Sequence, residues 1–263
     1  MTNTKTFTLG GRKLHLLFLT TVGSKLHKLN DSESDTDLKG VFVWDMDTLF
    51  GLETYPSVLD GKKTNKEEWL QLCSDLNKEF NLGLEDADDL ALFELKKFFL
   101  STLKNDFNMF DMLFSNEQHN YCSDDFSEVL LKRNLFLDTK KAHHTFVGMA
   151  NGSLKEAVKL HRNNGSERSK FKALAKVLQF LYSFESMLDT HSYKPVLDFA
   201  ERETVFNTKK GLVDFDKTVA ECERLFLRVE EKYEHSKGLC NETNRTKLDK
   251  VLTQTTKNVL LRV

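Results

Sequence analysis

The chain has 263 residues, enough for one domain with an appendage or for two small domains. Lys and Arg number 38 and Asp and Glu 40, a net charge of −2, which excludes a protein that coats nucleic acid by gross positive charge and leaves only a local patch for such contact. Apolar residues at 40% and charged residues at 30% exclude a disordered tail, while two Pro, 12 Gly and 21 Phe favour long helices with bulky side chains packed between them.

The apolar run near the N-terminus is too short and too interrupted for a signal peptide or a bilayer span, so an intracellular protein is expected. Cys73, Cys122, Cys222 and Cys240 are widely spaced, form no C-x-x-C pair and read as reduced and structural. Lys13 to Val22, KLHLLFLTTV, reads as a buried strand meeting a tight turn at Gly23-Ser24, followed by a short helix at Lys25 to Leu29. Asp35 to Trp44, DTDLKGVFVW, reads as a second strand. Trp69, Leu72, Leu76 and Phe80 recur at helical spacing, which predicts a helix over Asn65 to Phe80 that stops near Gly83. A short strand from Asp89 to about Phe93 runs directly into another helix. Beyond about residue 140 only helical periods remain, as in Phe171, Leu174, Leu178, Leu181 and Leu188, and in Phe215, Val219, Cys222, Phe226, Val229 and Tyr233. Such stripes are mostly core, because a helix gains stability by burying one face.

The stretch that carries chemistry is Gly23 to Val41, GSKLHKLNDSESDTDLKGV. Gly23 and Ser24 bring backbone N–H groups and a hydroxyl into one corner, a site suited to phosphate. Asp35 and Asp37, two apart on a predicted strand, project from one face, and adjacent carboxylates repel unless a cation such as magnesium sits between them. A lone D-x-D is more often a solvated turn. Here a strand, Gly-Ser, a short gap, Asp-x-Asp on a second strand and a third acidic residue at another strand's start follow in order. A phosphate cradle beside paired carboxylates is what nucleotidyl transfer requires.

These residues resemble the polymerase-β-like nucleotidyltransferase superfamily. Within it the chain is most similar to bacterial and phage nucleotidyltransferases associated with RNA repair, which carry a GSxxxGLxxxxSDxDxRGV-like stretch. LFGLE at Leu49 to Glu53, DLALFELKKFFLSTLKNDFNMFDMLFS at Asp89 to Ser115 and FVGMANGSLKEAVK at Phe146 to Lys159 extend the resemblance over most of residues 20 to 190. It implies an α+β fold: a small mixed nucleotidyltransferase sheet flanked by helices over residues 1–142, then an all-helical domain over 143–263 that closes the cleft. It implies Asp35, Asp37 and Asp89 as catalytic metal ligands, with Asp88 the competing choice for the third, and Gly23, Ser24, Lys39 and Lys97 as nucleotide-binding residues. Two Mg2+ ions are expected, with Mn2+ as a substitute, together with an NTP substrate, an RNA acceptor such as a tRNA-like end, no membrane, and a bacterial or phage-infected host cytoplasm.

Departures from the family's pattern bear on acceptor recognition. Lys28 stands where a Gly is usual, Lys39 where an Arg is usual, and an expected His-x-x-Arg-like pattern is missing from FKALAKVLQFL. Transfer onto a protein or a small molecule, and a non-enzymatic nucleotide-binding protein, stay open as alternatives. His143, His144 and His191 lack partners at ligand spacing and read as surface or helix-end residues. The basic clusters Lys96-Lys97, Lys132-Arg133, Lys140-Lys141 and Lys170-Lys172-Lys176 could together line a groove for an RNA backbone.

Overall fold

A computed structural model of the chain describes residues 4–31, 34–83, 89–115, 119–236 and 242–261. Its centre is a mixed six-stranded sheet. β1 (Lys5–Leu9) and β2 (Arg12–Thr21) form a hairpin through Gly10 and Gly11, both at positive φ, the conformation a two-residue hairpin turn requires. β2 pairs antiparallel with β3 (Leu38–Trp44), and β3 pairs parallel with β5 (Leu90–Glu94), which carries β4 (Val58–Asp60) on its outer edge. β6 (His119–Cys122) shares one edge of β2 with β1, taking its second half.

Alternation along β3 gives the sheet two unlike faces. Leu38, Phe42 and Trp44 join Leu90 and Leu92 in a cluster closed by Trp69, Leu72 and Leu76 of α3 (Lys66–Phe80). Asn65 caps α3 by accepting from the amides of Glu67 and Glu68, and Asn81 ends it at φ 49, two residues before the expected stop at Gly83. Strand β5 passes directly into α4 (Leu95–Thr102), as expected, because Glu94 both ends the strand and caps the helix by accepting from Lys97 N at 3.0 Å.

Val41 and Val43 face the other way, into one apolar cluster that runs without a break into the helical half. It includes Phe98 of α4 and Phe110 of α5 (Phe107–Leu113), then Phe146 of α7 (Thr139–Arg162), Leu174 and Phe184 of α8 (Glu167–Thr190), and Val229 of α10 (Phe215–His235). The Phe-rich composition is spent here: Phe107 meets Phe180 at 4.8 Å and Phe146 at 5.4 Å between ring centroids, both edge to face. No strand occurs beyond residue 140 among the described residues. The remaining described helices are α1 (Gly23–Leu26), α2 (Met46–Phe50), α6 (Asp124–Leu131), α9 (Phe199–Lys209) and α11 (Glu242–Leu261), with a 3-10 turn at Arg133–Phe136. No described helix is long and apolar enough to cross a membrane. Cys73 and Cys222 are buried and Cys122 half-buried, and Cys240 lies outside the described residues.

Candidate functional site

The site begins where β2 runs out. Val22 N donates to Asp37 O at 2.9 Å, one step beyond the paired Thr21 and Leu38, and Gly23 then turns the chain away. Gly23 adopts φ +67, and a Cβ on it would lie 2.5 Å from Oδ2 of Asp37, so backbone conformation and space both demand glycine. The short helix expected over Lys25 to Leu29 is α1, which already includes Gly23 and Ser24 and is a single turn. His27 N donates to Gly23 O at 3.2 Å and Leu29 N to Ser24 O at 2.8 Å. Lys28 ends the turn at φ 56. That left-handed backbone is the physical reason a glycine suits this position, and Lys bears the strain of it.

Asp35 and Asp37 are not on the strand, contrary to the expectation, because β3 starts at Leu38. Once Gly23 turns away, β2 offers no further edge to pair with. Both carboxylates are nevertheless exposed into the same cleft, and the Lys25 ammonium bonds Thr36 Oγ1 between them.

That cleft has a volume of about 720 Å³, within the usual range for a small-molecule site. Its helical wall is mostly cationic, with Glu167 its acidic member. Arg168, Lys172 and Lys176 repeat at i, i+4 and i+8 on α8, and Lys209 and Lys210 join them from the end of α9. Burial pushes the Lys209 ammonium below its usual pKa; Asp31 opposes this, while the like charges of Lys172, Lys210 and Arg168 add to it. Lys209 Nζ donates to Leu29 O at 2.9 Å and Lys210 pairs with Asp31, tying this wall to the segment after the Gly-Ser turn.

Of the residues singled out in the sequence, Gly23, Ser24, Asp35 and Asp37 meet on the cleft wall. Asp89 directly precedes Leu90, the partner of Leu38, so Asp37 and Asp89 hold matching places ahead of two parallel strands, with Asp89 off the cleft wall. Asp88 lies outside the described residues. Lys39 donates to Asn108 Oδ1 at 3.1 Å at the cleft's border; burial lowers its pKa against the raising effect of Asp111, Asp37 and Asp106. Lys97, on α4, is half-buried and off the wall. No group of three His, Cys, Asp or Glu side chains is arranged for a metal ion among the described residues. Another carboxylate on the wall is Asp111, whose oxygens are engaged by His27 at 2.9 Å and Tyr193 at 2.7 Å.

Of the basic clusters, only part of one lines the cleft. Lys170 is buried, paired with Glu167 at 2.6 Å and set over the rings of Phe171 and Phe215, so of its cluster only Lys172 and Lys176 reach the cleft. Lys132 pairs with Glu128, Arg133 lies over Phe114, and Lys141 pairs with Asp138. Arg168, Lys209, Lys210, His27 and Asp111 went unnoticed in the sequence. The i, i+4, i+8 spacing of Arg168, Lys172 and Lys176 was a legible signal for the first.

Comparison with curated proteins and with solved structures gave no significant match. A family model does match, over residues 8–257, nearly the whole chain and both walls of the cleft. The chain belongs to the RNA repair pathway DNA polymerase beta family, a polymerase-β-like nucleotidyltransferase family by its name.

Proposed function

We propose that the chain moves a nucleoside monophosphate from a nucleoside triphosphate to an acceptor hydroxyl, with an RNA end as acceptor. The observation that carries this reading is the opposition across one cleft: Asp35 and Asp37 beside the Gly23-Ser24 turn, facing Arg168, Lys172, Lys176, Lys209 and Lys210. A triphosphate suits the cationic wall and is repelled by the carboxylates, unless divalent cations lie between. Asp35 and Asp37 offer the oxygen donors that Mg2+ or Mn2+ takes, and such ions would acidify the attacking hydroxyl and neutralise the leaving pyrophosphate.

The chain's own residues then have distinct tasks. The Ser24 hydroxyl and the turn's amides hold phosphate oxygens, while Lys172 and Lys176 offset their charge. The acceptor oxygen bonds to the α-phosphorus as the bond to the β-phosphate oxygen breaks. Asp89 orients the acceptor hydroxyl in this reading, on the strength of its place beside Asp37 at the ends of β5 and β3. The RNA acceptor rests on the family's association with RNA repair.

Incubation with each α-phosphate-labelled NTP, magnesium, and separate pools of RNA, protein and small metabolites tests the reading against a double Asp35→Ala, Asp37→Ala control. Label in RNA, absent from the control, is the expected result. Label in another pool overturns the RNA assignment, and label in none overturns nucleotidyl transfer.

A further inference from the structure

Three residues beyond Ser24, on the wall of the same cleft, the chain buries an ionisable ring that nucleotidyl transfer does not itself call for. His27 is 5% exposed. Its Nδ1 lies 2.5 Å from the carbonyl oxygen of Pro195 and its Nε2 2.9 Å from Oδ2 of Asp111. A carbonyl oxygen can only accept, so Nδ1 carries a proton. Asp111 accepts the Tyr193 hydroxyl on its other oxygen at 2.7 Å, which leaves Oδ2 as the acceptor that faces the ring. Nε2 faces this carboxylate oxygen, and a proton on Nε2 donated to it makes the ring an imidazolium, the form that Asp111 favours by raising the His27 pKa.

The contacts of this ring join the elements around the cleft. Its own backbone N–H closes the Gly-Ser turn on Gly23 O, Asp111 belongs to α5, and Tyr193 and Pro195 lie on the connector between α8 and α9, the two helices of the cationic wall. Phe107 covers the ring at 5.7 Å between centroids. From this we infer that His27 is a positioning residue: a buried imidazolium clamp that fixes the Gly23-Ser24 turn at a set distance from the cationic wall. The inference rests on the reading of the cleft as a nucleotidyl-transfer site, where both walls grip one triphosphate and a small misplacement of the turn costs rate more than affinity.

Two measurements on the full-length protein test it. The ring 15N shifts of His27 near neutral pH should report a doubly protonated imidazolium, and a neutral tautomer would overturn the clamp. In His27→Gln and Tyr193→Phe, both checked for folding by circular dichroism, the Kd for the NTP is compared with the rate of transfer at saturating NTP. The expected result is a rate loss of about 100-fold in His27→Gln and a smaller one in Tyr193→Phe, with Kd changed by less than about threefold. A wild-type rate, or equal losses in rate and affinity, overturns the positioning role. Should His27→Gln not fold, Tyr193→Phe decides alone by the same split. A wild-type protein that binds no NTP in the presence of magnesium fails at the earlier step, and the nucleotidyl-transfer reading falls with the positioning role. A wild-type protein that transfers label while both variants match it removes the clamp alone.

Discussion

On the sheet side of the cleft, Gly23, Ser24, Asp35 and Asp37 come from one short stretch, and their places are set by backbone: a ladder bond from Val22 to Asp37, a left-handed glycine, and a carboxylate too close to that glycine to leave room for a Cβ. On the helical side, Arg168, Lys172, Lys176, Lys209 and Lys210 come from two helices far along the chain and reach the cleft as long, exposed or half-exposed side chains. The first wall is a rigid arrangement in which each atom conditions the next. The second is a field of charge, and losing one member leaves the others in place. Substitutions should therefore act abruptly on the sheet side and by degrees on the helical side.

The sharpest test is Asp37→Asn, which should lower transfer by about a thousandfold or more while leaving the fold intact, because the residue is exposed and the proposed function assigns its charge to holding a cation. Activity alongside an unaltered melting curve is the measurement, and an unfolded variant would make the residue structural. Gly23→Ala comes next. It forces a side chain into φ +67 and against Oδ2 of Asp37, a cost of about 1–3 kcal/mol in denaturant unfolding together with loss of transfer.

On the other wall, Lys172→Glu and Lys176→Glu should each weaken NTP affinity by about tenfold in a salt-dependent way, without lowering Tm. Lys170→Glu is the contrast: it sets a carboxylate beside Glu167 in a buried place and should lower Tm with no direct effect on the cleft. Equal behaviour of the three would erase the distinction between core and wall on α8. Lys28→Gly should raise stability by about 0.5–1 kcal/mol, the left-handed strain relieved less the added entropy of the unfolded chain.

The smallest effect is one of pH. Burial alone would lower the His27 pKa, but the Asp111 charge and hydrogen bond and the Pro195 carbonyl outweigh it, and the folded value is raised above 6.5. A raised folded pKa means that the stability this group contributes is fully present below pH 6.5 and is lost as pH rises through the folded value. The Tm gap between wild type and His27→Gln should therefore narrow as pH rises from about 6 to about 9. The pKa of His15, lowered by burial, changes the background equally in both proteins and drops out of the difference.

Much of the molecule was legible before its structure. β2, β3, α3 and the passage from β5 into α4 follow from apolar spacing, because each buries a face long enough to repeat. β4 and β6 have three and four residues, too few for a period to show. β1 was within reach, since Gly10-Gly11 between β-rich runs is a hairpin signal.

The amino-acid order by itself determined the sheet-side wall, because a ladder, a glycine turn and two carboxylates within one short segment are local properties of neighbouring residues. Only the tertiary structure decided what faces it. Which lysines of α8 are buried and which line the cleft depends on how α7, α9 and α10 pack around that helix, and the clamp of His27 on Asp111 and Pro195 joins residues 84 and 168 positions apart. Such contacts are set by the packing of whole elements, and a local pattern carries no record of them.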